Sequence, residues 1–296
     1  MTGIICIDKE KDITTFGVVA KARGILKEKK AGHTGTLDPM ATGVLPIMLG
    51  GATKFLNFLP ESDKGYRASF VLGKTTDTLD ITGEVIGENE VNASKADVEA
   101  ILPKFRGKIL QLPPMFSAKS VDGVRLYDLA RKGIEVERKP CEIEIKKLEL
   151  IGANENEYTI DVVCSKGTYI RSLIDDLGRE LGCGAVMTGL RRTLACGFDI
   201  EKTITLEELQ RRRDEEIPFD DLIFSVEEIF KDYKKVCVSN AQARRFSNGG
   251  ALDIERIKKP PLNEEVCTVY SFDNVFLGLG KRDGAQLKVL RLLVNR

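Results

Sequence analysis

The stretch Gly32–Pro46 (GHTGTLDPMATGVLP) holds the chain's single histidine, His33, and, five residues on, Asp38 between Leu37 and Pro39. Glycines 32, 35 and 43 let the backbone turn tightly and come close to a ligand. A segment so rich in Gly and Thr is poor core material, but it suits one carboxylate and one imidazole held at the edge of a cleft. Two plainer readings stand beside this one. Asp38–Pro39 is also how a helix starts, with Asp as N-cap and Pro at the first helical position, and His33 also fits a turn. The glycines lack the G-x-x-x-x-G-K-[ST] phosphate pattern. One histidine and no cysteine cluster build none of the common transition-metal sites, so no metal is expected. No G-x-S-x-G elbow supports a Ser-His-Asp triad.

Three further segments carry reactive groups. Asp63–Arg67 (DKGYR) puts Tyr66 at the start of a strand. Thr75–Gly83 (TTDTLDITG) is a polar turn with Asp77 and Asp80. Ser165–Arg171 (SKGTYIR) leads into a helix, with Tyr169 and Arg171 at its first turn. Taken singly, these are a strand aromatic, two turn formers and a surface charge. An Arg in the first turn opposes the helix macrodipole, however, and calls for a carboxylate nearby.

The elements that must position these groups are legible in part. Gly3–Asp8 reads as a buried strand. Thr14 or Thr15 caps a helix whose Val18, Val19, Ala22, Ile25 and Leu26 share a face. Tyr66–Leu72 reads as a strand, and Ser94 with Asp97 as a capping box for a helix to about Leu102. Glu142–Ile151 and Tyr158–Cys164 read as a hairpin across Gly152–Asn156. Ile170, Leu173, Ile174, Leu177 and Leu181 recur at helical spacing until Gly182, and Thr205 with Glu208 boxes another helix. Few helices among many strands indicate an α+β fold on a mixed, largely antiparallel sheet. After a connection from Pro218 to about Asp232, a helix Asn240–Phe246 and β-type runs Val266–Phe272 and Leu287–Val294 indicate a small C-terminal β-barrel.

Composition sets bounds. The chain has 296 residues and no net charge, with 42% hydrophobic and 30% charged residues. That is ordinary for a soluble globular protein. No apolar run nears the ~20 residues of a membrane span, and MTGIICIDKEKD does not read as a signal peptide. Seven scattered cysteines without C-x-x-C indicate free thiols and a reducing cytoplasm. From Lys231 onward there are 13 basic and 7 acidic residues, against 32 and 38 before it. A basic C-terminal part points to a phosphate backbone, with a solvated surface as the alternative.

Taken in order, the blocks GHTGTLDPMATGVLP, GYRASFVLGKTTDTLDITG and CSKGTYIRSLIDDLGRELGCGAVMTGLRR resemble the signature blocks of the TruB pseudouridine synthases. That family converts the T-loop uridine of tRNA (position 55) to pseudouridine. LPPMFSAKSVDGVRLYDLARKG resembles the family's RNA-binding insertion (about 107–140), and the tail resembles its small PUA barrel. The resemblance implies a pseudouridine synthase fold over 1–231 and a PUA-like RNA-binding domain over 232–296. It implies base flipping and aspartate-dependent cleavage and re-formation of the glycosidic bond, with no cofactor. Asp38 matches the catalytic aspartate, Tyr66 the active-site tyrosine, Arg171 the arginine paired with the aspartate, and Asp80 the carboxylate holding that arginine. Tyr169 and Leu190 match residues around the target base, and His33 one that fills the place of flipped nucleotides. Charge and position add Arg125, Arg131 and Lys132 on the insertion. They also add Arg244, Arg245, Lys281 and Arg282 on the tail as phosphate contacts.

Three positions, in two segments, depart from the family's pattern. Where D-K-P-x-G-x-T-S is usual, this chain has DKEKDITT, with Glu10 for Pro and Asp12 for Gly. Phe116 stands where Tyr is common. Asp tolerates the left-handed region better than most residues, so the first turn is expected to survive. The implied partner is the tRNA T-stem-loop, bound by a monomer without a guide RNA. The guide-dependent, dyskerin-like branch and a tRNA-binding folding factor with incidental or lost catalysis are the rival readings.

Overall fold

The computed structural model describes residues 1–117, 119–121 and 123–293. Gly3–Lys9 (β1), a run of GIICIDK, is buried on both faces. A strand covered on both sides needs no polar alternation, which explains its continuous apolar character. Thr14 accepts the Gly17 N–H at 3.0 Å and starts the helix Thr15–Ile25 (α1). Thr42–Leu49 (β2) and Lys64–Leu72 (β3) follow. Ser94 and Asp97 cap one another ahead of Lys95–Ile101 (α2). Next come Gly107–Gln111 (β4), Cys141–Asn154 (β5) and Glu157–Cys164 (β6). Ile170–Glu180 (α3), Ala185–Ala195 (β7) and Leu206–Asp214 (α4) complete the larger unit.

The strands order β1-β2-β7-β3-β6-β5-β4, with Ala31–His33 added on β2 and Phe198–Asp199 on β7. Every pairing is antiparallel except β2 with β7, where Arg191 faces Thr42 and Arg192 faces Gly43. The sheet is therefore mixed and largely antiparallel, as expected. The parallel contact needs a close approach. Gly43 has φ 100°, and a Cβ there would lie 2.2 Å from the Arg192 carbonyl oxygen.

Three apolar layers hold the sheet. Ala68, Phe70, Val162 and Ile160 pack against Leu173, Ile174 and Leu177 of α3 and Val98 of α2. Ile5, Ile7, Leu45 and Ile47 pack under α1 and α4. The opposite faces of β1 and β2, Ile4, Cys6, Val44 and Met48, pack on Phe55, Phe198 and Phe230.

Several expectations need adjustment. No helix begins at Asp38: its carbonyl accepts the Ala41 N–H at 3.0 Å in a turn. β2 starts only four residues later, too soon for a helix to form between them. The hairpin turn is just Glu155–Asn156, with Glu155 at φ 49°, while Gly152 stays in β5 opposite Thr159. Thr205 caps α4 by accepting the Glu208 N–H at 3.1 Å, but the Glu208 carboxylate takes Arg211 at 2.7 Å, so the box is half formed. Pro218–Asp232 is more than a connection, because Val226, Ile229 and Phe230 are buried in it.

At the C-terminus, Lys234–Cys237 (β8), Leu252–Asp253 (β9), Val266–Tyr270 (β10), Phe276–Asp283 (β11) and Gln286–Leu292 (β12) form a five-stranded sheet ordered β8-β10-β11-β12-β9. It curves as a half-barrel around Phe246 of the helix Asn240–Ser247 (α5), Val236, Val269 and Leu287. The strand β11 was not expected, since its glycines 278 and 280 weaken the β signal. Gly278 (φ 144°) needs its missing side chain, because a Cβ would stand 2.0 Å from the Arg291 carbonyl oxygen. Val294, the expected end of the last strand, lies outside the described residues. Tyr270, Phe276 and Leu279 join the layer beneath β1 and β2, and Phe276 lies 6.1 Å from Phe55, ring to ring. Among the described residues no helix is long and apolar enough to cross a membrane.

Candidate active site

The turn carrying Asp38 is held from three sides. Lys9, fully buried at the end of β1, donates from Nζ to the carbonyls of Glu10 (3.0 Å), Pro39 (2.9 Å) and Ala41 (2.5 Å). Thr15 Oγ1 donates to Leu37 O (2.8 Å) and accepts Leu37 N–H (2.9 Å). Asp12 sits at φ 63° and donates its N–H to Pro39 O at 2.9 Å. The left-handed turn thus survives the loss of its usual glycine, as expected of an aspartate. Burial lowers the Lys9 amine to about 8, against the pull of Asp38 and Asp12.

Arg171, in the first turn of α3, does meet carboxylates. Its Nη2 lies 2.9 Å from Asp38 Oδ2, and its Nη1 lies 3.5 Å from Asp80 Oδ2. Nη1 also donates to Thr78 O (3.0 Å) and Nη2 to Phe116 O (2.9 Å). Asp80, 4% exposed, accepts from Thr78 Oγ1 (3.0 Å), Thr82 N (3.0 Å) and Thr82 Oγ1 (2.5 Å) on its other oxygen. Asp77 caps the same turn by accepting the Glu84 N–H at 2.8 Å. Asp80 is saturated from behind and aims Arg171, and Arg171 aims Asp38. The Asp38 side chain keeps 37% of its surface in the cleft. Burial raises its carboxyl above the ordinary value of 3.8, and the neighbouring Arg171 charge opposes the rise.

Strand register supplies the walls. Lys64, Tyr66 and Ala68 share one face of β3 by the two-residue period. On β7, Arg192 stands opposite Tyr66 and Leu190 opposite Ala68. Tyr66 is 7% exposed, and burial lifts its phenol to about 12 despite the adjacent Arg192 charge, so the hydroxyl keeps its proton at neutral pH. Tyr169 precedes α3, with its N–H and carbonyl clamped by the Gln111 amide at 2.8 and 3.0 Å. The resulting cleft has about 210 Å³ of open volume and is lined by Asp38, Lys64, Tyr66, Tyr169, Arg171 and Leu190 among others. That is below the ~300–1,000 Å³ of pockets for drug-sized ligands and fits one base-sized ring.

The other expected residues lie elsewhere. His33 pairs with Ile47 on the short strand beside β2 and does not line the cleft. Its Nδ1 is buried without a partner among the described residues, and burial with the Arg192 charge lowers the imidazole's proton affinity. Arg125, Arg131 and Lys132 are exposed around the helix Leu126–Ala130 of the insertion, Arg131 lying over the Tyr127 ring at 5.3 Å. Arg244 and Arg245 are exposed on α5, and Arg245 Nε donates to Ala251 O at 2.7 Å. Lys281 pairs with Glu264, and Arg282 donates to the carbonyls of Pro261 and Gly284, which binds both to the protein itself.

Three residues of the site and its surround, Lys9, Lys64 and Arg192, escaped the sequence reading. Lys9 and Arg192 are fully buried cations with carbonyl partners; Arg192 donates to Val44 O (2.7 Å), Thr36 O (3.3 Å) and Gly35 O (3.3 Å). The signal for Arg192 was its place in the β7 alternation. Arg191 points the other way, to Asp8 at 2.7 Å.

Comparison with known proteins decides the family. The model of the TruB family pseudouridylate synthase N-terminal domain matches residues 23–170. The tRNA pseudouridylate synthase B C-terminal domain matches residues 171–231. The tRNA pseudouridine synthase B of Clostridium kluyveri is 40% identical over 296 residues, 99% of this chain and 100% of its own. The chain belongs to the TruB family of pseudouridine synthases. The TruB protein of Pseudomonas fluorescens is 52% identical over 210 residues, 71% of this chain and 69% of its own. Among solved structures, a Cbf5-Nop10-Gar1 complex contains a chain of the same fold, with TM-score 0.77 and 25% identity, covering 100% of this chain and 86% of that one. The pseudouridine synthase fold expected of a TruB protein is therefore present.

Proposed function

We propose that this enzyme isomerises the T-loop uridine of tRNA to pseudouridine, without cofactor or guide RNA. The observation that carries the reading is the Asp38–Arg171–Asp80 chain at the floor of a one-base cleft. Its context is the near full-length similarity to proteins named tRNA pseudouridine synthase B. The reaction breaks the N1–C1′ bond, turns the uracil and rejoins it through C5. It needs a carboxylate at the sugar or base and a walled space in which the detached ring can turn. Asp38 supplies the carboxylate. Tyr66 stacks on the extruded ring, a contact worth ~1–3 kcal/mol, and Leu190 and Tyr169 close the cleft around it. His33, outside the cleft, fills the space left by flipped nucleotides.

We divide the chain into a catalytic domain, 1–231, with an RNA-holding insertion near 107–140, and a PUA-like RNA-binding domain, 232–296. The separate core of Val236, Phe246, Val269 and Leu287 supports the second unit. The exposed Arg125, Arg131, Lys132, Arg244 and Arg245 take phosphates there and on the insertion. The protein acts as a cytoplasmic monomer.

The test is tritium release from unmodified tRNA labelled at uridine C5, with purified protein in EDTA. One equivalent released, and none with Asp38→Asn or with cytidine at the target position, is the expected result. Tight tRNA binding without release would transfer the function to RNA folding.

A further inference from the structure

Three of the four cations around the cleft have partners in the protein. Arg171 has Asp38, Asp80 and two carbonyls; Lys9 and Arg192 have three carbonyls each. Lys64 is the exception. It lines the cleft that holds Asp38, two residues before Tyr66 on the same face of β3. Asp63, its neighbour in sequence, turns away to Lys146 at 2.9 Å. Among the described residues no carboxylate pairs with the Lys64 ammonium. Its charged neighbours are instead cations, Arg192 and Lys166.

The ammonium also stands close to a second cation. A Cβ on Gly35 would stand 3.5 Å from Lys64 Nζ and 3.7 Å from Arg192 Nη1, so the bare backbone of Gly35 lies between two positive groups. Burial and the Arg192 charge together lower the Lys64 amine from its ordinary value. A cation confined beside other cations, with free donors turned to a cleft, lacks an anion. The uracil ring and ribose carry no charge, so the anionic group of the nucleotide is its phosphodiester.

We infer that Lys64 Nζ binds a phosphodiester flanking the flipped uridine, on the Gly35 side of the cleft, and so fixes the ribose over Asp38. The inference rests on the tRNA-modifying reading above. It makes Lys64 a binding and positioning residue, taking no covalent part. The Arg192 guanidinium, fully buried and turned to the carbonyls of Val44, Thr36 and Gly35, contributes field and keeps Gly35 in place. A point charge suffices for this contact, and Lys is a competent phosphate ligand of that kind.

The test is a cycle between protein and RNA. Unmodified T-stem-loop RNAs carry one neutral methylphosphonate, either 5′ or 3′ of the target uridine. Pseudouridine formation is followed with wild-type protein, Lys64→Gln and Lys64→Arg, each checked for folding by circular dichroism. Wild type is expected to lose about tenfold in kcat/KM with one of the two linkages, the size of one charge-assisted hydrogen bond. Lys64→Gln should lose about as much on native RNA and nothing further on that modified RNA, and Lys64→Arg should recover most of it. The salt slope of binding should fall by about one for Lys64→Gln.

Additive losses with both linkages would overturn the inference. So would wild-type indifference to both linkages, a result that needs no variant to fold. If wild type formed no pseudouridine in native RNA, the functional reading itself would fall, and the two failures are distinct.

Discussion

Arg171 Nη2 approaches Asp38 Oδ2 to 2.9 Å while Nη1 faces Asp80 Oδ2 at 3.5 Å, so one guanidinium fork stands between two carboxylates of different exposure. Asp80 is closed off by Thr78 and Thr82, and Asp38 opens to the cleft. The fork's planarity matters as much as its charge, because Thr78 O and Phe116 O each take a further hydrogen, from Nη1 and Nη2, in fixed directions. Arg171→Lys keeps the charge and cannot make all four contacts. Its turnover is expected to fall by about a hundredfold, with tRNA affinity changed less than about threefold. Single-turnover rates with a filter-binding control measure the split, and an equal loss in both would contradict a role in aiming Asp38.

Asp38 carries a pH signature. Its carboxyl is raised above 3.8 in the folded protein, first by burial. The folded state therefore holds this proton more tightly than the unfolded chain does. The stability that this group contributes is fully present below the ordinary value of 3.8 and is lost as pH rises from there through the folded pKa. Activity that needs the carboxylate moves the opposite way and grows through the same pKa. The acid limb of the single-turnover rate is expected above pH 3.8, and a limb at or below that value would speak against Asp38 as the titrating group.

Lys9 is the support under the catalytic turn. Lys9→Met preserves bulk and leaves three carbonyls of the 10–41 region without their donor. Leaving a buried acceptor unpaired costs about 1–3 kcal/mol. The variant is expected to lose that much unfolding free energy in urea and to turn over more slowly even where it is fully folded. Normal turnover in the folded variant would show that Thr15 and Asp12 hold the turn alone.

Much of the fold was legible because its signals are local. Thr14, Ser94 and Gly182 punctuate helices through short-range hydrogen bonds and a left-handed φ, which residue type nearly dictates. The Arg171 position announced a carboxylate partner through the helix macrodipole alone. Signals that depend on what a residue meets later in the fold were weaker. Glu208 had two available partners, and Arg211 won over the cap. Strand β11 hid behind Gly278, which makes sense only against the neighbouring Arg291 backbone, and Gly280, which meets the Leu287 and Val269 side chains.

By itself the sequence determined the residue types at Asp38, Tyr66, Asp80, Arg171 and Leu190, the α+β class and the family resemblance, since these are properties of order and spacing. Tertiary structure decided which groups meet. β3 and β7, more than a hundred residues apart, set Tyr66 against Arg192 by register. β1 brings Lys9 beneath Pro39, and the 76–82 turn brings Asp80 behind Arg171. The fold also sets Gly35 beside both Arg192 and Lys64. Burial does the rest: the same Lys, Asp and Tyr types acquire different proton affinities only once water is excluded from one side of them.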